Sequence, residues 1–371
     1  MDQTPNHDSG GVAPKRLFAG NNARYAMAGG VLLALAVIAT VVVNNDHGGP
    51  TPVATPTAVA VPTASATPAP KPTATPTVGP TATTVPAGIA PRFSFQPLAI
   101  MVENHFDARP QSGLDKADVV YEAVVEAWIT RFMAIYANHE AEVVGPVRSA
   151  RHYYVYWASE YNAIYAHCGS SPQGYAALDA VGLTSLDNTY GTGAFWRSND
   201  RVAPHNLYAS TKALRDSTDD SGEGWLGGLR FHPSEAIADK DVVSEIKITH
   251  PDDYSVSYTY SKEDNAYWRE MEGYPHVDAW SGLQYEPKNV IVQFVETWPI
   301  PGDDAGRMDM ALVGQGEAYA FVGGKAIKGI WLKESLTAPT RYLDSEGKDI
   351  LLNPGQTWIQ VAPNGSRLSF K

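Results

Sequence analysis

Two arginines three positions apart form the pattern in this chain that most directly indicates chemistry. Arg148, Ser149 and Arg151 lie in the segment GPVRSARH, where Pro146 and Ser149 are residue types common at a helix start. We therefore expect both guanidinium groups on one face of a helix. Backbone N–H groups at a helix start, together with guanidinium groups that bind two oxygens at once, would capture a phosphate or a carboxylate. The alternative is a structural ion-pair network, whose partners would be Glu103, Glu122 and Glu126.

A second candidate lies at a predicted strand–turn–helix junction. His167 ends the predicted strand, and Ser170 and Ser171 follow it before Pro172 opens a helix that Gly182 closes. Ligands bind at the carboxyl ends of strands in α/β sheets, so these side chains are candidate donors to an anion. The segment lacks the glycine–lysine pattern of a phosphate-binding loop, so nucleotide binding is unsupported. The alternative is a capped helix beside a core histidine.

A third candidate is the segment that contains Arg201, His205 and Asn206, close to aromatic residues. These residue types suit a surface that binds carbohydrate, and they equally suit a rigid loop packed over a sheet. The histidine side chain ordinarily titrates near neutral pH, so His205 and His167 are candidates for a general acid or base. The carboxylate candidates for the same role are Glu103, Glu122 and Glu126. The histidines are scattered without the paired spacing of a metal centre, so we predict no metal site and no cofactor.

An apolar run near the N-terminus predicts a membrane anchor. Ala26–Val43 contains 18 residues without a charge, close to the roughly 20 residues that span a bilayer. Three basic residues precede the run and only Asp46 follows closely, which predicts a cytoplasmic tail at 1–24, a transmembrane helix at 25–43 and an extracytoplasmic remainder. A cleaved signal peptide is the alternative, although no small-residue cleavage pattern follows the run.

The rest of the chain divides by composition into four segments. Residues 44–91 are rich in Pro, Thr and Ala, which predicts a disordered linker. In 92–218, short apolar runs alternate with helical patterns, which predicts an α/β domain that holds the candidate site. Residues 219–245 read as a connector, and 246–371 contain many short strands separated by turns, as in a mostly antiparallel β domain. The predicted fold class is therefore α+β, preceded by one transmembrane helix.

Several motifs in both of these domains resemble the YerB-type bacterial lipoproteins. In the first domain they are Ala108–Leu114, Thr130–Phe132, Gly145–Arg151 and Ala203–Tyr208, and in the second Gly273–His276, Lys288–Gln293 and Pro354–Ile359. The resemblance implies an extracytoplasmic protein of two domains with unknown function, and it assigns no catalytic residues. The chain departs from the family by its transmembrane anchor in place of a lipid-modified cysteine. Its single cysteine, Cys168, stands where a small residue is expected, which argues against thiol chemistry.

Charge narrows the choice of ligand. The chain has a formal charge of −12, and residues 92–371 carry −13 because 1–24 contribute +1 and 25–91 are balanced. So acidic an ectodomain has no general field that would attract nucleic acid. An anionic ligand would therefore have to be bound by a local cluster of arginines.

Three classes of function remain, and composition favours the first and the third because no catalytic spacing is strong enough to stand alone. In the first, a groove formed by Arg148, Arg151, His167 and His205 binds a cell-wall glycan, wall peptide or anionic polymer. If both arginines bind the ligand, replacing either should abolish binding with little change in stability. In the second, Glu and His side chains act as acid and base in an envelope hydrolase or transferase. In the third, the β domain is a scaffold that docks another envelope protein.

Overall fold

A computed structural model describes residues 91–219 and 222–371 of the chain. The predicted cytoplasmic tail at 1–24, the predicted transmembrane helix at 25–43 and all but the last residue of the predicted linker at 44–91 lie outside these residues. Within the described part, no helix is both long and apolar enough to cross a membrane.

The described chain is mostly β, with three α-helices and three short 3₁₀ turns in its N-terminal part. The helices are α1 (His152–Ser159), α2 (Pro172–Val181) and α3 (Thr211–Asp216), and the turns are Phe106–Ala108, Leu114–Lys116 and Asn188–Tyr190. The strands are β1 (Arg92–Phe93), β2 (Leu98–Glu103), β3 (Val119–Val124), β4 (Thr130–Tyr136), β5 (Ile164–His167), β6 (Ser185–Asp187), β7 (Phe195–Arg197), β8 (Leu207–Ala209), β9 (Gly224–Trp225), β10 (Arg230–Phe231), β11 (Glu245–Thr249), β12 (Ser255–Ser261), β13 (Ala266–Met271), β14 (Tyr274–Pro275), β15 (Asn289–Val295), β16 (Thr297–Pro299), β17 (Met308–Met310), β18 (Gly314–Val322), β19 (Lys325–Lys333), β20 (Arg341–Asp344), β21 (Leu351–Leu352), β22 (Thr357–Pro363) and β23 (Arg367–Phe370).

A ten-stranded sheet is the largest element of the fold. Its strand order is β20-β19-β18-β15-β22-β3-β4-β2-β5-β6. Strand β22, close to the C-terminus, pairs in parallel with β3, so strands from both 92–218 and 246–371 form one continuous sheet. Local periodicity does not predict such pairing, because it depends on contacts between residues far apart in the chain.

Strand β2 is buried on both of its faces. Alternate residues of a strand point to opposite sides of the sheet. Met101 accordingly packs on the side covered by Tyr154 and Trp157 of α1, whereas Val102 packs in a second cluster on the other side. Packing on both faces holds the strand in place, and with it the position of Glu103 at its end.

A five-stranded sheet packs against part of the large one. Its order is β14-β13-β12-β11-β23, and all its pairings are antiparallel. Ile248 and Tyr258 of this sheet share an apolar cluster with Val290 and Phe321 of the large sheet. The alternating buried and exposed residues of β11 and β12 are those expected of a sheet with one face in the core.

The α/β character predicted for 92–218 is limited to the parallel strands β2, β5 and β6, of which β5 and β6 are connected directly by α2. The neighbouring strands β2, β3 and β4 pair antiparallel. Their uninterrupted apolar runs arise from burial on both faces, which also occurs without a layer of crossover helices. The prediction therefore overstated the helical share of this segment.

Helix α1 begins at His152, after both arginines, and not before them as the sequence predicted. Arg148 lies in extended chain, where its neighbour Val147 forms a bridge with Val102, and Arg151 is the extended N-cap residue. Pairing with the sheet satisfies backbone groups that a helix would otherwise use. The prediction that the two arginines share one helix face was therefore wrong.

Candidate functional site

Three extended segments meet at the end of β2. Val147 forms a bridge with Val102, and its backbone N–H also donates to the carbonyl of Leu207 in β8 at 2.6 Å. The loop before β8 carries His205, and the chain after Val147 carries Arg148. This pairing brings residues from three distant parts of the sequence to one place.

The carboxylate of Glu103 lies between Arg148 and His205. Its Oε1 is 3.0 Å from Nε of Arg148, an ion pair without the alignment of a hydrogen bond, and its Oε2 accepts from Nδ1 of His205 at 3.0 Å. The glutamate side chain is only 5% exposed. Three of the residues selected from the sequence therefore form one cluster.

Arg148 is the predicted arginine that remains open to a ligand. Its side chain is 31% exposed, and neither of its terminal nitrogens has a hydrogen-bond partner within the described residues. The ion pair with Glu103 holds the guanidinium group at its Nε. The two terminal nitrogens are therefore available to bind two oxygens of an anion.

His105 and Asp107, which were not among the predicted site residues, extend the cluster. The rings of His105 and His205 stack with centroids 4.8 Å apart. Oδ2 of Asp107 lies 3.8 Å from Nε2 of His205 and 3.6 Å from Nδ1 of His105. Burial and the adjacent His205 lower the pKa of His105 below its ordinary value, so this imidazole is neutral at neutral pH. The sequence signal that could have found them is a His-x-Asp pair shortly after a strand. That signal does not indicate His205 as the third member, because His205 comes about a hundred residues later.

Arg201 and Asn206 position the loop that carries His205. Arg201 donates to the carbonyls of Ala108 and Pro110 at 2.8 and 2.7 Å, and so fastens the loop to the chain after His105. Asn206 donates to the carbonyls of Ser198 and Arg201 at 2.8 and 3.1 Å. Both side chains are engaged in hydrogen bonds to the backbone, so their role here is structural.

Arg151 belongs to the ion-pair network that was the alternative interpretation. It is buried and pairs with Oε2 of Glu126, while Arg131 pairs with Oε1 of the same carboxylate. Ser149 accepts from both arginines through its hydroxyl. Burial alone would raise the pKa of Glu126, but the two positive charges outweigh it and lower the pKa. Arg151, Ser149 and Glu126 are therefore already paired with one another.

The substitution Arg151→Ala is expected to lower the free energy of unfolding by about 1–3 kcal/mol, because it removes charged hydrogen bonds in a largely buried network. Arg131 keeps Glu126 paired, which limits the loss. Chemical denaturation of the full chain measures the change. An unchanged free energy of unfolding would contradict the structural role, and Lys212→Ala, at a fully exposed lysine paired with Asp216, is the control expected to change little.

The second predicted cluster is also engaged internally. His167 is buried, with Nδ1 2.9 Å from the carbonyl of Gly169 and Nε2 2.8 Å from the hydroxyl of Ser185. Burial lowers the pKa of His167. Ser171 caps α2 by accepting from Gly174, which confirms the predicted helix start. The alternative interpretation, a capped helix beside a core histidine, describes this junction.

Ser170 and Cys168 are partly exposed beside this junction. The Ser170 hydroxyl lies 3.5 Å from the carbonyl of Ala150, and Cys168 Sγ is 3.9 Å from Nδ2 of Asn188. Neither side chain contacts Glu103 in the described part of the chain. The junction and the cluster at the end of β2 are thus separate candidates.

Glu122 has no exposed surface. It forms an ion pair with Arg269, whose side chain is also 0% exposed, and accepts hydrogen bonds from Thr130 and Tyr254. Of the three predicted carboxylates, Glu103 alone contacts a candidate histidine in the described residues.

The fold and the comparisons define this chain as a mostly β protein of a family whose function is unknown. Residues 86–224 match the N-terminal domain of the "Protein of unknown function (DUF3048)" family, and residues 246–359 match its C-terminal domain. These two matches leave residues 225–245 between them. The chain belongs to this family.

The chain is similar to a relative described as "Putative lipoprotein YerB" from Bacillus subtilis (strain 168). The two are 32% identical over 277 residues, which cover 72% of this chain and 82% of the relative. The crystal structure of the YerB protein from Bacillus subtilis matches with a TM-score of 0.64 at 30% identity, and the match covers 74% of this chain and 94% of that chain. These findings confirm the resemblance to the YerB-type family.

Proposed function

We propose that this protein is anchored in the cell membrane and binds an anionic cell-wall glycan or polymer through Arg148 and His205. The arrangement is a cytoplasmic tail at 1–24, a single span at 25–43, a linker at 44–91 and folded parts at 92–218 and 246–371 outside the cell. The apolar run and the basic residues before it support this topology. The description of the YerB relative as a lipoprotein agrees with an attachment to the membrane.

The observation that carries the proposal is the open guanidinium group of Arg148. A carboxylate holds it from one side, and its two terminal nitrogens remain unpaired among the described residues. Guanidinium groups bind carboxylate and phosphate oxygens through paired hydrogen bonds. Because the ectodomain is strongly acidic, this local arrangement has to provide the attraction for an anion.

An exposed ring next to the cluster suits a sugar. Phe106 stands between His105 and Asp107 and is 69% exposed. An aromatic side chain in this position offers a flat apolar surface beside a charged one. A glycan that carries phosphate or carboxylate groups has both features, which favours it over a simple ion as the ligand.

The substitution Arg148→Ala is expected to weaken the binding of full-length protein to purified peptidoglycan with its attached anionic polymers about tenfold or more. Charged hydrogen bonds contribute roughly 1.5–3 kcal/mol, and each 1.4 kcal/mol corresponds to a factor of ten in affinity. Co-sedimentation at fixed salt measures the binding, and the unfolding midpoint separately reports any loss of stability from the ion pair with buried Glu103.

The matched control is Arg367→Ala, which removes an exposed arginine, 3.8 Å from Asp253, from β23. If binding to peptidoglycan falls equally in both variants, the effect is a general one of charge and the proposed site is overturned. Unchanged binding by Arg148→Ala would also overturn the proposed site.

A second candidate is an envelope hydrolase or transferase that uses Glu103 and His205. The carboxylate holds Nδ1 of the histidine, so its Nε2 is oriented away as in a positioned general base. Mass spectrometry of peptidoglycan incubated with the protein tests this. Soluble fragments that disappear with His205→Ala would identify an enzyme, and an unchanged profile in the wild type would count against wall hydrolysis.

A further inference from the structure

We propose that His105, Asp107 and His205 bind a divalent transition-metal ion such as Zn²⁺. This inference goes beyond the anionic ligand of the proposed function and stands without it. Each of the three side chains offers one ligand atom, and these atoms lie within 4.8 Å of one another. The group is the one of this kind found among the residues that the structure describes.

The separations suit a small metal ion. Oδ2 of Asp107 lies 3.6 Å from Nδ1 of His105 and 3.8 Å from Nε2 of His205. With metal–ligand bonds of about 2.0–2.2 Å, ligand atoms in a tetrahedral site lie roughly 3.3–3.6 Å apart. The ligand nitrogens of the two histidines lie within 4.8 Å of each other, and the two rings stack at an interplanar angle of 15°. One imidazole ring therefore has to turn about its side-chain bonds before both rings can direct a lone pair at the same ion.

The donor atoms have the right chemistry. Two imidazole nitrogens and one carboxylate oxygen form a ligand set that prefers Zn²⁺ and related first-row ions over Ca²⁺ or Mg²⁺, which take oxygen ligands.

Glu103 provides an independent second observation. Its carboxylate accepts from Nδ1 of His205 at 3.0 Å and is itself held by Arg148. Histidines that bind metals commonly donate their other ring nitrogen to a carboxylate in this way, which fixes the tautomer and directs the free lone pair to the ion. Here the free lone pair is that of Nε2, on the side of Asp107.

The surrounding backbone keeps the three ligand-bearing residues close together. Nδ1 of His105 accepts from the backbone N–H of Asp107 at 3.3 Å at the start of the short turn Phe106–Ala108, and an ion bound at Nδ1 would replace this hydrogen bond. Arg201 fastens the loop of His205 to the carbonyl of Ala108 at the end of the same turn. Both ligand-bearing segments are thus connected to each other directly, which reduces the entropy lost when an ion binds.

The charges next to the three ligand atoms are compatible with a cation. Asp107 contributes a negative charge as a ligand, Arg148 is paired with Glu103, and the nearby Arg109 is paired with Glu272. The Asp107 side chain is 54% exposed, so a bound ion would keep a position open to water or to an oxygen atom of a ligand. That open position characterises metal sites that bind exogenous molecules.

Titration of the full-length, chelator-treated protein with Zn²⁺ alone, followed by calorimetry, tests the proposal. One ion should bind per chain, and His205→Ala, His105→Ala and Asp107→Ala should each weaken binding at least a hundredfold. Glu103→Gln should weaken it about 10–100-fold while Glu103→Asp restores most of the affinity, because the residue acts through His205. Substitution by Co²⁺ should give a visible d–d spectrum that His205→Ala abolishes.

The control is His139→Ala, which removes an exposed histidine 3.4 Å from Asp118, a histidine–carboxylate pair without a third ligand. Its affinity should equal that of the wild type. Unfolding midpoints measured without metal identify any variant that fails to fold. If the variants fail to fold, the presence or absence of a Co²⁺ d–d spectrum in the wild type decides whether the metal site exists. No binding by the wild type, or binding that survives in a folded His205→Ala variant, would overturn the metal site. Co-sedimentation with peptidoglycan, measured with and without chelator, tests the anion-binding proposal separately from the metal site.

Discussion

Replacing Arg269 by Ala is expected to lower the free energy of unfolding by about 3–5 kcal/mol, because the substitution leaves an ionised carboxylate buried without its partner. Arg269 and Glu122 are both 0% exposed and form an ion pair. Glu122 lies on β3 of the large sheet and Arg269 on β13 of the small one. The pair therefore joins the two sheets in the interior.

The surroundings of Arg269 add to the expected loss. Its guanidinium group lies 4.6 Å from the ring centroid of Trp358, a cation–π contact, and its Nε donates to the hydroxyl of Tyr258 at 3.2 Å. Its Nη1 donates to Nδ1 of His276 at 2.6 Å. Truncation to alanine would remove all of these contacts and leave a cavity.

The pKa shifts indicate that both partners are charged. Burial alone would raise the pKa of Glu122, but the charge of Arg269 and the hydroxyl group of Tyr254 outweigh it and lower the pKa. Burial would likewise lower the pKa of Arg269, and the charge of Glu122 raises it instead. Removal of either partner thus exposes the other to the full cost of desolvation.

Urea denaturation of the wild type and of Arg269→Ala measures this difference. The double substitution Glu122→Leu with Arg269→Met should recover most of the lost stability, because it removes both charges together. Arg367→Ala, at an exposed arginine, is the control and should shift stability by less than about 0.5 kcal/mol. A single Arg269→Ala variant within about 1 kcal/mol of the wild type would contradict the interior role of the pair.

Stability is also expected to fall as the pH decreases from 7.5 to 5.5, because three buried histidines remain neutral in the folded chain. Burial lowers the pKa of His167, His250 and His276, and for His276 the charge of Arg269 lowers it further. Below about pH 6.5 the unfolded chain binds protons that the folded chain does not, which favours unfolding. Each histidine contributes up to about 1.4 kcal/mol per pH unit in this range.

The contacts of His276 explain why its protonation is opposed. Nδ1 accepts from Arg269, and Nε2 lies 2.8 Å from Oε1 of Gln111, to which it donates. A proton on Nδ1 would remove the acceptor and place a second positive charge beside the guanidinium group. The folded state therefore excludes the charged imidazole.

His139 and Glu160 change the stability with a pH dependence opposite to that of the buried histidines. A hydrogen bond from His139 to Asp118 raises the pKa of His139, so its contribution to stability is complete below pH 6.5 and is lost as the pH rises through its folded pKa. Burial raises the pKa of the Glu160 carboxyl group, so the folded chain takes up this proton at a higher pH than the unfolded chain does. This uptake stabilises the folded chain as the pH falls towards about 4.5, and it opposes the loss of stability caused by the histidines. The range from pH 7.5 to 5.5 thus reports mainly on the buried histidines.

Free energies of unfolding at pH 7.5 and 5.5 test this expectation. The variant His276→Gln should show a smaller difference between the two pH values than the wild type. His139→Gln, which removes the histidine of opposite sign, should show a larger difference. Equal stability of the wild type at both pH values would contradict the neutral state of the buried histidines.

Local elements were the part of the fold that residue patterns predicted well. Of the short apolar runs in 92–218, Leu98–Val102 lies in β2, Asp118–Ala127 contains β3 and Arg131–Ala137 overlaps β4. Helix α2 begins after Ser171 and ends at Gly182, which has a φ of 66° in the left-handed region that glycine tolerates. These features depend on residues close together in the chain, so a pattern of a few residues is enough to predict them.

The residues of the candidate site were predicted less completely. Glu103, Arg148 and His205 were selected and do meet, but Arg151 and His167 are engaged in separate internal contacts. A charged residue in an isolated motif has the same appearance whether its partner is a ligand or a buried carboxylate. The partner depends on which strands lie next to each other.

The sequence by itself determined the family membership, most of the local strands and the residue types that are available for chemistry. The tertiary structure alone decided that His105 and Asp107 join His205, because the chain around Val147 pairs with the end of β2 on one side and with β8 on the other. Backbone preferences and helix caps act over a few neighbouring residues. Contacts between residues a hundred positions apart arise instead when sheets pair and bury their apolar faces, and no local pattern encodes that pairing.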